Sequence, residues 1–541
     1  MSKTGALLPE GWDLSVDIVM VMGEGAGALG GDYAALGQRR VLAVIPEPLA
    51  AEQVPAGVTS IRTEQELANW LRKLPKPAKN VRVLRTPQCT LTPQATNRFT
   101  AVMQQVAQQQ RDFLKPLFDL SPLWAYNGIR NFAHIAQNPM LGDFAEVFQG
   151  VPLIVVGAGP SLAKNIDVLH RAKGKAIVLA VNRTLRSLDN AGLVPDLTIA
   201  LEPRDVRSQF DGVDLERIPA VLLATTVDRN LYELEGARFI SYYGQLGVDG
   251  WMFDEVDQRH EAESLGTVSH AAFSLGIQWG CEPIILVGQD LSFPGGSYYH
   301  KDGADGDTQA VFDEETQKWR LEGYSPAIAH TLKGEDGKLF DGVEVPGYHG
   351  GLVPTSASFA QYRAWFENKA LRWQDERQMF NCTEGGANIG GMQNRTLAEV
   401  VDALPDRGID LNAALRDPRL QAVIAARGAR MRARLASMSR DLGEVVTLSR
   451  SALRLIDKAR KRPKVLSRLQ QTETRLKAAA RGVPVLNLAI QEAIKEAIAK
   501  GGEIKTVQDS LRISHSLYSI MNKNAAVLHK EAEAVLADWP A

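Results

Sequence analysis

The sequence predicts an α/β protein with a helical tail. Three observations point there: apolar strand-like runs that end in glycine loops, repeated strand–helix units through the middle of the chain, and an Ala, Leu, Arg and Lys texture at helical spacing after about residue 405. At 541 residues the chain exceeds what one hydrophobic core supports. We expect an N-terminal Rossmann-like α/β domain over 1–125, a central α/β domain over 126–405 and a C-terminal helical domain over 406–541. With 45% apolar and 23% charged residues the composition is that of an ordinary globular chain. A net charge of −2 creates no global field for nucleic acid or an anionic membrane, so neither is expected as a partner. Cys89, Cys281 and Cys382 lie far apart and form no C-x-x-C pair, which argues against a disulfide framework or a cysteine zinc site and for a reducing compartment. The N-terminus lacks the apolar core of a signal peptide, and no apolar run approaches the ~18 residues of a membrane span. The expectation is a soluble, cytoplasmic protein.

The first apolar run, in "VDIVMVMGEGAGALGG", leads into Gly25, Gly27 and Gly30, a match to G-x-G-x-x-G, and Glu47 follows the next strand. That spacing makes a dinucleotide candidate, but the same glycines also serve a tight strand-to-helix turn that holds nothing. "KLPKPAK", from Lys73 to Lys79, reads as a loop inside this domain. Apolar-periodic residues from Leu117 to Pro139 suggest a helical entry to the second domain. There the βαβ grammar is clear: strand Leu153 to Val156, a glycine loop, a helix from Ser161 to about Ala172, strand Ala176 to Val181, helix Leu185 to Ala191 and strand Leu197 to Leu201. Such alternation implies a mostly parallel sheet. A further strand, Pro283 to Val287, is apolar on both sides and belongs at the centre. In the tail, Leu435, Met438, Leu442, Val445 and Leu448 recur as a buried helix stripe would, beside an arginine-rich face that is either solvated or a docking surface.

The loop in "PLIVVGAGPSLAKNI" carries the chemistry. Leu162 stands where a dinucleotide fingerprint has its third glycine, and Asn182 and Arg183 end the second strand where an acid would bind ribose. NAD is therefore not expected. Lys164 follows the wrong residues for a Walker loop, which excludes ATP held by a P-loop. A helix N-terminus suited to a single anion remains: Gly157 and Gly159 let amides approach, Pro160 suits a first helical turn, and Ser161 adds a hydroxyl. Asp196 stands before its strand and Glu202 and Asp205 after it, and Gln289 and Asp290 stand at a strand end before a glycine-rich loop. Asp302, Asp305 and Asp307 alternate as calcium ligands do but lack the closing Glu of an EF-hand. His270, near the start of a helix behind Thr267 and Ser269, and His300, in a Gly/Tyr loop, titrate near neutrality.

Four segments in this order, "GVPLIVVGAGPSLAKNI", "AGLVPDLTIALEPRD", "GTVSHAAFSLGIQWGCEPIILVGQDLSF" and "FNCTEGGANIGG", resemble the motility-associated factor (Maf) family of bacterial flagellin glycosyltransferases. The resemblance covers roughly 126 to 405, and the run Asn381 to Ala387 is the piece generic α/β grammar explains least. It implies a sialyltransferase-like modified Rossmann fold for the central domain. It also implies transfer of a nonulosonic acid, pseudaminic or legionaminic acid, from a CMP-activated donor to Ser or Thr of flagellin in the cytoplasm, a step required for flagellum assembly and motility. Flagellin and the CMP-sugar are then the partners, the helical tail is where flagellin would dock, and no cofactor or metal is obligatory, because the donor carries its own carboxylate. On this reading Gly157, Gly159, Pro160 and Ser161 hold phosphate, Asn182 and Gln289 contact the donor, and Asp290, Glu202 and His270 are the candidate bases. The family often has Asp where this chain has Glu202. Part of the same domain is also similar to archaeal-type 6-hydroxymethyl-dihydropterin diphosphokinases, which use ATP and magnesium, and a non-enzymatic flagellin-binding chaperone is the third reading.

Overall fold

The computed structural model describes residues 18–35, 40–46, 49, 53–72, 81–144, 147–244, 250–253, 258–324, 339–459, 463–501 and 506–540. Glu47 and the proline loop at 73–79 lie outside them. The chain forms two compact units, which divide between Phe118 and Asp119. In the first, β1 (Ile18–Met22), α1 (Ala26–Ala35), β2 (Val41–Val44), β3 (Val58–Ile61), α2 (Glu64–Arg72), β4 (Val81–Arg85) and α3 (Pro93–Asp119) follow one another. Their strands make a parallel sheet in the order β3-β2-β1-β4. β1 is buried on both faces: Ile18, Met20 and Met22 pack with Leu67, Phe99 and Met103, while Val19 and Val21 pack with Ala26, Val41 and Ala43. This is the half-Rossmann topology the glycines foretell. The mouth of its glycine loop, however, holds the Glu24 carboxylate, which accepts bonds from the amide and the hydroxyl of Thr90. Those bonds hold Glu24 below the usual carboxylate range, and an ionised acid there opposes a pyrophosphate.

The second unit opens with α4 (Ser121–Arg130) and α5 (Phe132–Gln137), the expected helical entry. Then come β5 (Leu153–Val156), α6 (Ile166–Leu169), β6 (Ile177–Val181), α7 (Leu185–Asn190), β7 (Leu197–Ala200), β8 (Ala220–Ala224), β9 (Phe239–Tyr242), α8 (Val268–Gln278) and β10 (Ile284–Val287). Two hairpins follow, β11 (Gln309–Asp313) with β12 (Lys318–Glu322) and β13 (Val343–Pro346) with β14 (Leu352–Thr355). After α9 (Ala357–Trp373) the sheet gains β15 (Met379–Asn381) and β16 (Gln393–Asn394), and α10 (Leu397–Ala403) closes the α/β part. The sheet has eight strands in the order β16-β15-β10-β5-β6-β7-β8-β9, all parallel. β5, β6, β8 and β10 are apolar throughout, β7 is apolar but for Thr198, and all five are entirely buried, as central strands covered on both faces must be. The chain runs outward from β5 to β9 and returns beside β5 as β10, so the topological switch point lies between β5 and β10.

The tail comprises α11 (Leu411–Leu415), α12 (Pro418–Ala459), α13 (Leu466–Arg481), α14 (Pro484–Gly501) and α15 (Val507–Ala537). The stripe Leu435, Met438, Leu442, Val445 and Leu448 on α12 is buried as expected. The tail belongs to the same compact unit as the central sheet. Arg427 of α12 reaches Asp143 at 2.9 Å with both side chains only 8% exposed, and Arg130 of α4 pairs with Glu531 of α15 at 2.9 Å. Among the described residues no helix is long and apolar enough to cross a membrane.

Candidate active site

In open parallel sheets, ligands settle beyond the carboxyl ends of the strands at the switch point. Here the two switch-point loops close on each other. The Gly157 amide donates to the Val287 carbonyl at 2.8 Å and that of Gly159 to the Gly288 carbonyl at 2.9 Å. The Ser161 amide and hydroxyl both donate to the Asp290 carboxylate, at 3.1 and 2.5 Å. A Cβ on Gly157 would collide with the Gln289 amide, and one on Gly159 with the Asp290 carboxylate, so close approach of the two loops explains both glycines. This corrects the expected phosphate cradle: the amides of Gly157, Gly159 and Ser161 are engaged inside the protein, and Pro160 has none. Nor does a helix run from Ser161 to Ala172. A 3-10 turn (Pro160–Lys164), the four-residue α6 and a second 3-10 turn (His170–Ala172) replace it, and Ser161 starts no macrodipole. One donor of the loop stays open. The amide of half-buried Ala158 meets no acceptor among the described residues.

Asp290 is 2% exposed, and burial pushes its carboxyl up to about 6. Both of its oxygens already take Ser161 donors, and Gly386 packs against its backbone. As a base for substrate it is therefore misplaced; it buckles the β10 loop to the β5 loop. The run Asn381–Ala387 now has its explanation. Thr383 Oγ1 accepts from the Gln289 amide at 3.1 Å, Gly385 fits against Ser161, and the Ala387 amide donates to the Asp290 carbonyl at 2.7 Å. A side chain at Gly385 or Gly386 would lift this strap off the buckle.

His270 is also removed from the list of bases. It is fully buried, stacked on Trp365 with centroids 4.0 Å apart, and its Nε2 lies 3.1 Å from the Tyr362 carbonyl. Its helix nevertheless matters. The second half of α8 lies over the starts of β5 and β10, where Gly276 meets Leu153 and Ile284, so its first turn stands at the carboxyl edge. Gln289 Nε2 donates to Ser269 Oγ at 2.9 Å and pins that turn beside the buckle. Gln289 thus positions α8, which leaves its amide nitrogen engaged and corrects its expected role as a donor contact. The N-cap Thr267 makes no side-chain cap bond, and the amides of Val268 and Ser269 meet no acceptor among the described residues. This N-terminus belongs to a helix of 11 residues, long enough to carry a dipole toward an anion. The sequence places His270 near a helix start, and the absence of an acidic residue in the first turn after "GTVS" is the signal that its amides stay open.

At the ends of β6 and β7 the edge is polar. Asn182 is 5% exposed and donates to Gln209 at 2.6 Å. Arg183 pairs with Asp305 at 2.6 Å and lies over the Tyr299 ring, so the aspartates of the 302–307 stretch do not converge as calcium ligands. Among the described residues no group of three His, Cys, Asp or Glu is arranged to hold a metal. Glu202 alone of the candidate bases reaches the surface: its side chain is 23% exposed and accepts from the Arg204 amide at 3.3 Å. His300 is 4% exposed, and its amide donates to the Ala158 carbonyl at 2.8 Å, which seats the 297–308 loop on the glycine loop.

Fold and edge together define a doubly wound parallel α/β protein whose open donors fit one small anion. Residues 126–296 match the family model described as 6-hydroxymethylpterin diphosphokinase MptE-like. No curated protein matches. Among solved structures, the chain is similar to the Maf glycosyltransferase from Magnetospirillum magneticum AMB-1, at 16% identity and a TM-score of 0.49, over 97% of this chain and 80% of that one.

Proposed function

We propose that this chain is a glycosyltransferase that moves a nonulosonic acid from a CMP-activated donor to Ser or Thr hydroxyls of flagellin. One observation carries the reading. The carboxyl edge offers a few open amides, at Ala158 and in the first turn of α8, while the glycine loop that would wrap a triphosphate is closed by its own bonds. A CMP-sugar presents one phosphodiester, and departure of that phosphate needs donors at a single point. The motif series and the layout of two α/β sheets with a helical tail support the same reading. Glu202 is the base for the acceptor hydroxyl, being the one of the three candidate bases that reaches the surface, with the Arg204 guanidinium 3.5 Å away. Asn182, at the end of neighbouring β6, has its side-chain amide nitrogen held by Gln209, which leaves only its carbonyl oxygen for the donor. The donor brings its own carboxylate, so no bridging metal is required.

A second reading rests on the family match: a pterin diphosphokinase that uses ATP and magnesium. Two carboxylates of this edge are not free for a metal, since Asp290 is engaged with Ser161 and Asp305 with Arg183. Thermal protection separates the two. At 100 times its dissociation constant a ligand stabilises by about 2.7 kcal/mol. CMP should raise the melting temperature and ATP with magnesium should not; the reverse pattern would replace the glycosyltransferase by the kinase. Incubation with CMP-activated sugar and flagellin should add the mass of one or more nonulosonic acids to flagellin. Flagellin that binds but gains no mass would make the protein a chaperone.

A further inference from the structure

Within the glycosyltransferase reading, on which the inference rests, we infer that His300 donates a hydrogen bond from Nε2 to the departing phosphate. The glycine loop is closed on its inner side, and Ala158 to Pro160 form its half-buried outer side. His300 is attached to that side through the bond between its amide and the Ala158 carbonyl, at 2.8 Å. The one open amide of the loop, that of Ala158, is thus a neighbour of the His300 loop in space.

The orientation of the proton follows from the partners of the ring. Nδ1 lies 3.0 Å from Ser187 Oγ and 3.4 Å from the Asp302 amide. An amide only donates, so Nδ1 accepts, and the neutral ring carries its proton on Nε2. Burial, with Lys301 adding to it and Asp302 opposing, holds the ring below the usual histidine range, which keeps it neutral at pH 7. Of the other charged groups of this loop cluster, Arg183 and Asp305 are paired with each other, and Asp307 lies farther along the loop. Among the described residues Nε2 meets no acceptor, and it is not sealed from the surface. A neutral donor held by burial and by two bonds at Nδ1 is preorganised for an oxygen that gains charge.

The step balances without proton loss from the ring. The bond between the anomeric carbon and the phosphate oxygen breaks, and its electron pair goes to the phosphate. The acceptor oxygen forms the new bond to that carbon and gives its proton to the base. His300 keeps its proton and strengthens its bond to the phosphate as charge develops.

The test uses the full chain, a CMP-activated nonulosonic acid and CMP. His300→Ala should lower CMP release about 100-fold, the usual effect of removing one such donor. His300→Gln, whose side-chain amide reaches a similar point, should recover at least a tenth of the wild-type rate; Ala and Gln variants of equal rate would overturn the donor role. In nitrogen NMR of the wild-type protein, the His300 ring should read as the neutral Nε2–H form and shift when CMP is added. A wild-type protein that turns over donor while the His300 resonance stays unmoved and His300→Ala keeps its rate would overturn the inference and leave the glycosyltransferase reading standing. A wild-type protein that neither binds CMP nor consumes donor would overturn both.

Discussion

Asp290 follows β10 and Glu202 follows β7 at the same edge of one sheet, with β5 and β6 between them, and their surroundings assign them different work. Asp290 is sealed beneath the 383–387 strap, and this burial disfavours its ionised form by more than the bonds from Ser161 favour it. Its folded pKa, about 6, lies above the unfolded value, so the stability linked to it is full below about pH 4 and is lost as pH rises through 6. The size of that loss is on the order of 3 kcal/mol. Asp290→Asn should flatten this part of the stability profile in urea titrations between pH 4 and 7; an unchanged slope relative to wild type would contradict the burial argument. In donor-turnover assays Glu202→Gln should lower the rate at least about 100-fold. His270→Gln should lower the melting temperature instead and leave the rate within a few-fold, because its ring contacts Trp365 and Tyr362 rather than the edge. At this scale the sequence marks residue types at strand ends well. What it hides is pairing: Ser161 and Asp290 are 129 positions apart, and only the adjacency of β5 and β10 brings the hydroxyl to the carboxylate.

Two helix beginnings compete for the anion, and they differ in what their amides already hold. "PSLAKNIDVLHRA" has proline at its first turn and apolar residues at helical spacing, yet it folds as two 3-10 turns around α6. Contacts from distant residues override the local pattern: Asn165 donates to the Glu384 carboxylate at 2.7 Å, and Lys164 to the Glu384 carbonyl at 2.7 Å. No periodicity within the segment could disclose that. α8, by contrast, keeps the first-turn amides of Val268 and Ser269 open among the described residues. A carboxylate at its N-cap would occupy those amides and interact well with the dipole. Thr267→Asp should therefore hold or raise the melting temperature while weakening CMP binding at least tenfold by calorimetry. Wild-type affinity in that variant would remove α8 from the site. The glycine loop of the first unit illustrates the same rule, since its strand-to-helix turn is filled by Glu24 bonded to Thr90.

Across the molecule, the strand–helix alternation made the parallel sheet legible, and the apolar stripe of α12 made the tail legible. The hairpin pair between β10 and α9 was not, because its strands are short and half exposed. Nor was the joining of tail to sheet: Arg427 reads as part of a solvated basic face, whereas it is buried against Asp143 and the Asn138 carbonyl. Removing one partner of such a pair strands a buried charge and costs about 3–5 kcal/mol. Arg427→Ala should lower the denaturant midpoint of the 119–541 unit accordingly, and a change within 0.5 kcal/mol, as roughly expected of surface sites, would show that the clamp is idle. The reading of the whole molecule turns on where a lone phosphate sits. A crystal structure with CMP measures that directly: its phosphate is expected within hydrogen-bond distance of the Ala158 amide and the first turn of α8, whereas a phosphate bound away from the β5–β10 edge, or a crevice that admits none, would contradict it.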